Sequence, residues 1–251
     1  MPTQYSFSSI PFYKAHPYMQ PFVGKNYESD RHKKLLLIGE SFYVTKESNN
    51  PHHHVKEWYD GTIDVNTDDQ GWCNTTGTRL NKSGDYGKIV ERSLQSICPT
   101  NGNAWEEVAF INYFLRPADY RKNIAKLWKG STKEERRTDR KEALDNLLKV
   151  IDILKPDVFV MTSAFVCKKN AEHDYPIFYP SKPKKELWDW TIPHGVADYI
   201  YVNHPSQACW HQAMNKYGKF LAYKNNKPKG EQEKYKACDF FRDWLANNWM
   251  Y

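Results

Sequence analysis

Four short apolar runs, separated by stretches with helical spacing, restrict this chain to very few folds. The first, Lys34 to Ile38 in "KKLLLIGESFYV", is continuous and ends at Gly39. The others are Val108 to Tyr113 in "EEVAFINYFLRP", "DVFVM" at 157–161, and "DYIYVNHPS" at 198–206. Runs that stay apolar without alternation suit strands covered on both faces. Between the first two lies a helix with Val90, Leu94 and Ile97 on one face, stopped soon after by Pro99. Another helix follows, with Leu144, Leu147, Leu148, Ile151 and Leu154 on one face and Lys155 and Pro156 closing it. A short helix near Ala164 to Ala171 follows the third run, and two helical stretches, roughly Ala208 to Tyr223 and Glu231 to Trp249, follow the fourth.

Parallel strands need crossover connections, and alternating strands and helices supply them. The expected fold is therefore α/β: a three-layer α/β/α sandwich with a central, mostly parallel four-stranded sheet. Residues 1–30, rich in Pro, Tyr and Phe, read as an extended arm packed by its rings, and 31–251 as a single domain. The polar stretch 44–82 is too long for an ordinary connection, so it is either a lid or an excursion with small elements of its own. It carries the triplet His52, His53 and His54 together with Trp58, Tyr59 and Trp72.

At 251 residues, with nine Trp and seventeen Tyr, the chain can fill one sizeable core and leave rings for flat ligands. Its 36 basic against 30 acidic residues give a net charge of only +6, so the position of the excess matters more than its size. Between Pro205 and Gly230 stand Lys216, Lys219, Lys224, Lys227 and Lys229 with no acid. Such a patch attracts phosphate; the plain alternative is a solvated lysine face. Five cysteines, an odd number without a CxxC pair, fit a reducing, cytoplasmic setting and no disulfide framework. The N-terminus lacks the pattern of a signal peptide, and no run approaches the roughly 18 apolar residues of a membrane span. Adjacent histidines in a polar loop are more often solvated than ligating, so neither a metal nor another cofactor is expected.

In such a sheet ligands collect beyond the carboxyl ends of the strands. That rim gathers Glu40, Ser41, Phe42 and Tyr43 from the first strand, Asn112 and Tyr113 from the second, and His204 and Ser206 after the fourth. Each has a plain reading too: a loop acid, a loop-tying amide, a His-Pro turn. Asn112 is the most telling, because a buried amide costs about 1–3 kcal/mol unless its hydrogen bonds are met.

Taken together, "GESFY" at 39–43, Asn112 in "FINYFLRP" and His204-Pro205-Ser206 in "VNHPS" resemble the motifs of the uracil-DNA glycosylase superfamily, in the right order over residues 33 to 245. The Arg116-Pro117 pair is also similar to several of its branches. The resemblance implies a protein that binds single- or double-stranded DNA and hydrolyses the N-glycosidic bond of uracil or another damaged base. It implies that His204 donates to the pyrimidine O2 as charge builds there, and that Asn112 reads N3 and O4. Tyr43 would crowd C5 while Phe42, or Trp58 or Trp72 from the long loop, stacks on the flipped base. The best-known branch has an Asp where this chain has Ser41, so water activation would fall to Glu40, as in the Gly-Glu branches. Ser206 would contact the DNA, Trp210 would stand where the family places an apolar wedge, and Lys216, Lys219, Lys224 and Lys227 would follow the DNA backbone. Some branches hold an iron-sulfur cluster on four cysteines; the spacing here offers no such site.

Two other readings start from the same residues. A relative with weak water activation would bind nucleic acid without cutting it. Alternatively, "IGESF" resembles the nucleophile segment of SGNH-type esterases, with Ser41 attacking an acyl carbonyl and Asn112 assisting the oxyanion, although no Asp-x-x-His follows near the C-terminus.

Overall fold

Each of the four apolar runs becomes a strand in the computed structural model of the chain. It describes residues 5–45, 54–75, 84–119, 124–163, 198–202, 204–205, 208–211 and 236–251. The strands are β1 (Phe22–Val23), β2 (Leu35–Tyr43), β3 (Ala109–Ala118), β4 (Val158–Met161) and β5 (Asp198–Tyr201), in one sheet of order β1-β3-β2-β4-β5. The last four strands run parallel, and β1 pairs antiparallel at the β3 edge through Phe22↔Phe110 and Val23↔Ala109. A fifth strand was not legible in the sequence, since two residues show no periodicity.

Around the sheet lie α1 (Pro11–Ala15), α2 (Val55–Asp60), α3 (Thr67–Cys73), α4 (Gly84–Ile97), α5 (Ile124–Leu127), α6 (Lys133–Leu154), α7 (Ala208–His211) and α8 (Ala237–Asn248), with 3-10 turns at Pro17–Met19 and Ala104–Glu107. Successive strand side chains point to opposite faces, and the core divides accordingly. Leu36, Ile38, Ile111, Phe159 and Met161 pack with Ala143, Leu147, Val150, Ile151 and Leu154 of α6, and with Phe12, Tyr13 and Trp58 from α1 and α2. Leu35, Leu37, Phe110, Val158 and Val160 pack instead with Val90 and Leu94 of α4 and with Phe241, Trp244 and Leu245 of α8. Helices thus cover both faces of a mostly parallel sheet. No helix among the described residues is long and apolar enough to cross a membrane.

Two boundaries differ from the sequence reading, each for a local reason. Helix α6 begins eleven residues before its leucine stripe, at a reciprocal cap in which Thr132 Oγ1 accepts from the Glu135 amide (3.2 Å) and Glu135 Oε2 accepts from the Thr132 amide (2.6 Å). It closes where Lys155 turns left-handed, with φ 46°, ahead of Pro156. Gly39, expected to end the first strand, sits inside it: β2 continues to Tyr43, and Gly39 pairs in register with Asn112. The glycine answers a steric demand, because a Cβ there would lie 2.2 Å from Asn112 Oδ1 and 2.9 Å from Phe110 Cζ.

Residues 5–27 and 54–75 pack together on the α6 side. Phe7, Ile10, Phe12, Tyr13, Met19 and Tyr27 are buried there. His16 stacks on Trp58 at 4.1 Å and donates through Nε2 to its carbonyl oxygen (2.9 Å).

Candidate functional site at the carboxyl edge of the sheet

From β2 the chain crosses to β3 on one side and later returns to β4 on the other, so the strand order reverses between β2 and β4. A reversal of this kind opens a crevice beyond the carboxyl ends of the strands, because the flanking connections leave to opposite faces. Glu40 of β2 and Ser163, two residues past β4, meet at that point: the Ser163 hydroxyl donates to Glu40 Oε2 at 2.5 Å. The carboxyl is 7 % exposed, and burial holds its pKa above the ordinary value of 4.5, with the Ser163 hydrogen bond opposing only part of the shift. Burial, and then the nearby Glu40 carboxylate, likewise push the Tyr43 phenol up; an approach of Ser41 tempers this without satisfying the serine, whose buried Oγ has no hydrogen bond of good geometry.

A buried acid with a raised pKa costs stability once ionised. Below 4.5 the folded and unfolded chains both hold the proton; as pH climbs through the raised value, the folded chain must ionise a desolvated group and stability falls. Glu40→Gln is therefore expected to raise the melting temperature near neutral pH, by roughly 2–4 °C per kcal/mol relieved, and to leave it unchanged in melts run below about pH 4. A melting temperature that drops at neutral pH would make Glu40 a structural partner of Ser163 and nothing more.

On the opposite sheet face the amide of Asn112 lies across Gly39, 8 % exposed, and makes no hydrogen bond among the described residues. Filling the space beneath it should displace it. Gly39→Ala is expected to cost about 1–3 kcal/mol by overpacking, and Asn112→Ala in the same chain should recover part of that loss in denaturant titrations. No recovery would assign the clash to Phe110.

Phe110 leads from Asn112 to a residue that the sequence reading missed. Tyr86, in the first turn of α4, packs on Phe110 at 5.8 Å and on the ring of His204 at 5.3 Å. Its hydroxyl lies 2.7 Å from Thr162 Oγ1, which in turn donates to the Ile38 carbonyl oxygen at 3.0 Å. Threonine has a single hydroxyl proton, so Tyr86 is the donor in this pair. Trp105 Nε1 donates to the Gly87 carbonyl (3.1 Å) and anchors that turn of the helix. The signal was present: Tyr86, Val90 and Leu94 repeat every four residues, so extending the apolar stripe back by one turn reaches Tyr86.

The structure thus brings Asn112 and His204 onto one face of the sheet, bridged by Phe110 and Tyr86. Glu40 leaves on the other face, beside Ile38 and Phe42, as period-two alternation requires. Two expected site residues are corrected. Phe42 is 5 % exposed and packs into the α6-side core instead of standing free to stack, because β2 keeps alternating past Gly39. Trp210, expected as the apolar wedge, is 1 % exposed and packs on Phe241 at 5.4 Å. Of the tryptophans in the long excursion, Trp58 is buried under His16 and Trp72 is 58 % exposed. Ser206, Lys216, Lys219, Lys224 and Lys227 lie outside the described residues, as do His52 and His53. Arg116 is 1 % exposed and bound to Asp139.

No protein-family model matches the chain, and no curated protein matches it in sequence. Fold and side-chain geometry define it: a three-layer α/β/α protein in which Glu40 and Ser163 meet where the strand order reverses.

Proposed function

We propose that this rim receives a nucleobase from DNA and that the protein hydrolyses the N-glycosidic bond of that base, in the manner of uracil-DNA glycosylases. One observation carries the reading: the Asn112 amide, lacking a hydrogen-bond partner among the described residues, shares a sheet face and an aromatic bridge with His204. An amide offers one acceptor and two donors, which matches the N3–H and O4 edge of uracil and mismatches cytosine. His204 would donate to O2 as negative charge develops on the departing base. Tyr86, its hydroxyl oriented by Thr162, offers the ring on which a flat heterocycle can rest. Glu40 would have to orient water from the crevice between β2 and β4, since its carboxylate leaves the sheet on the face opposite Asn112. Lys216, Lys219, Lys224 and Lys227, with Ser206, would contact the DNA backbone.

That same opposition favours a second reading, a nucleic-acid-binding relative that recognises a base without releasing it. An esterase using Ser41 has less support, because the Ser41 hydroxyl bonds to no base that could activate it. Incubation with single- and double-stranded oligonucleotides carrying uracil or hypoxanthine, followed by alkaline scission at abasic sites, decides between these readings. Scission supports hydrolysis. Tight, base-dependent binding without scission supports the second reading. Turnover of a fluorogenic ester with neither outcome would remove the nucleobase from consideration.

A further inference from the structure

At the opposite edge of the sheet, where β2 and β3 begin, three buried side chains from separate elements converge. His32 precedes β2, Cys98 follows α4, and Glu107 ends the 3-10 turn before β3; one ligand atom from each lies within 4.8 Å of the other two. His32 and Glu107 are 1 % exposed, and so is Cys98. His32 Nδ1 donates to the Lys33 carbonyl oxygen at 3.0 Å, which fixes one ring proton there because a carbonyl can only accept. Nε2 then faces Glu107 Oε2 at 3.0 Å. Nε2 is thus the ring atom turned toward the Glu107 carboxylate and the Cys98 sulfur. A backbone carbonyl on the remote ring nitrogen is also how metal-binding histidines are oriented. Glu107 is itself braced, with Asn26 Nδ2 donating to Oε1 (2.8 Å) and Arg31 Nη2 to Oε2 (2.7 Å). The Cys98 sulfur, buried and aimed into the group, has no hydrogen-bond partner among the described residues.

We propose that His32, Cys98 and Glu107 bind one zinc ion, with the fourth coordination position turned to the adjoining cavity. That cavity, of about 300 Å³, is lined by Lys25, Asn26, Arg31 and Asn101 beside Glu107. Imidazole with thiolate selects zinc over magnesium or calcium, which prefer all-oxygen shells. Metal–ligand bonds of about 2.0–2.3 Å put tetrahedral ligand atoms about 3.3–3.8 Å apart, so the Cys98 sulfur needs to close by at most about an ångström while the His32–Glu107 pair, now at 3.0 Å, opens slightly. Binding converts the Cys98 thiol to a thiolate and releases its proton to solvent. Arg31 keeps the second lone pair of Glu107 Oε2 and offsets part of the negative charge of the ligand set. Three protein ligands and one open position are the arrangement of zinc centres that bind a water or a small ligand, and Lys25 and Arg31 favour an anionic one. The site does not depend on the function of the distant rim.

The test uses the full chain, stripped with chelator and titrated with Co²⁺ and then Zn²⁺. The expected result is one equivalent bound, with a near-ultraviolet thiolate-to-cobalt charge-transfer band. Cys98→Ser should abolish that band and weaken Zn²⁺ binding at least tenfold, whereas Cys73→Ser and Cys238→Ser, at the other free cysteines buried among the described residues, should keep it. Failure of the wild-type chain to bind, or a band that survives Cys98→Ser, overturns the proposal and leaves the His32–Glu107 contact as a structural hydrogen bond. Should Cys98→Ser fail to fold, X-ray absorption of the zinc-loaded wild-type chain decides: one sulfur in the shell supports the site, and a shell of nitrogen and oxygen alone overturns it.

Discussion

Asp139→Ala should destabilise the protein by about 3–5 kcal/mol, the range expected when one partner of a buried ion pair is removed. Asp139 stands on α6 with a fully buried carboxylate, and four donors saturate it. Arg116 of β3 contributes Nε (2.8 Å) and Nη2 (2.5 Å), Trp128 its Nε1 (2.7 Å) and Tyr59 of α2 its hydroxyl (3.0 Å). Removing the carboxylate takes both charge-assisted bonds from a guanidinium that is itself only 1 % exposed. For a chain of this size the loss corresponds to a fall in melting temperature of roughly 10 °C. Replacing both partners by apolar residues of similar volume, as in Arg116→Met with Asp139→Leu, should cost much less, since the desolvation of two charges is then no longer required. A loss below about 1 kcal/mol for Asp139→Ala would mean that water reaches the pair.

The second large effect is functional. If the rim releases a base as proposed, His204→Ala should lower kcat for uracil excision by about 10²–10³-fold, the usual consequence of deleting one donor to a developing anion. KM should move little, because that charge is absent from the bound ground state. His204 is half-buried, three residues past β5 and beside Tyr86, so its truncation empties no core position and folding should be retained. A substrate that departs as a readily stabilised anion separates this role from a packing role: with a better leaving base, the penalty of His204→Ala should shrink. An equal penalty for good and poor leaving bases would assign the histidine to positioning.

Much of this arrangement could be read from the residues. Continuous apolar runs marked β2, β3, β4 and β5, and the leucine stripe marked the buried face of α6, because burial on both faces or on one stripe leaves a periodic trace. What the sequence hid was tertiary. Gly39 looked like punctuation, as glycine usually is, while its actual constraint is the Asn112 side chain on the neighbouring strand. Phe42 and Glu40 follow from that same error: once β2 runs to Tyr43, alternation sends both to the α6 side. Arg116 carried a family likeness, yet its partner lies 23 positions away on a helix whose charged first turns showed no apolar pattern. His32, Cys98 and Glu107 share no motif, since up to 75 positions separate groups that touch only after two strands align.

The short strand β1 also closes the β3 edge of the sheet. By pairing with Phe110 and Ala109, and through the Gly24 amide on the Val108 carbonyl, the segment around Phe22 occupies hydrogen-bonding groups that β3 would otherwise offer to any passing strand. A protease that clipped ahead of Lys25 would uncover an apolar ladder edge, and such edges seed self-association. Protection of that edge therefore rests on two residues, Phe22 and Val23, whose side chains at the same time join the cores on the two faces of the sheet.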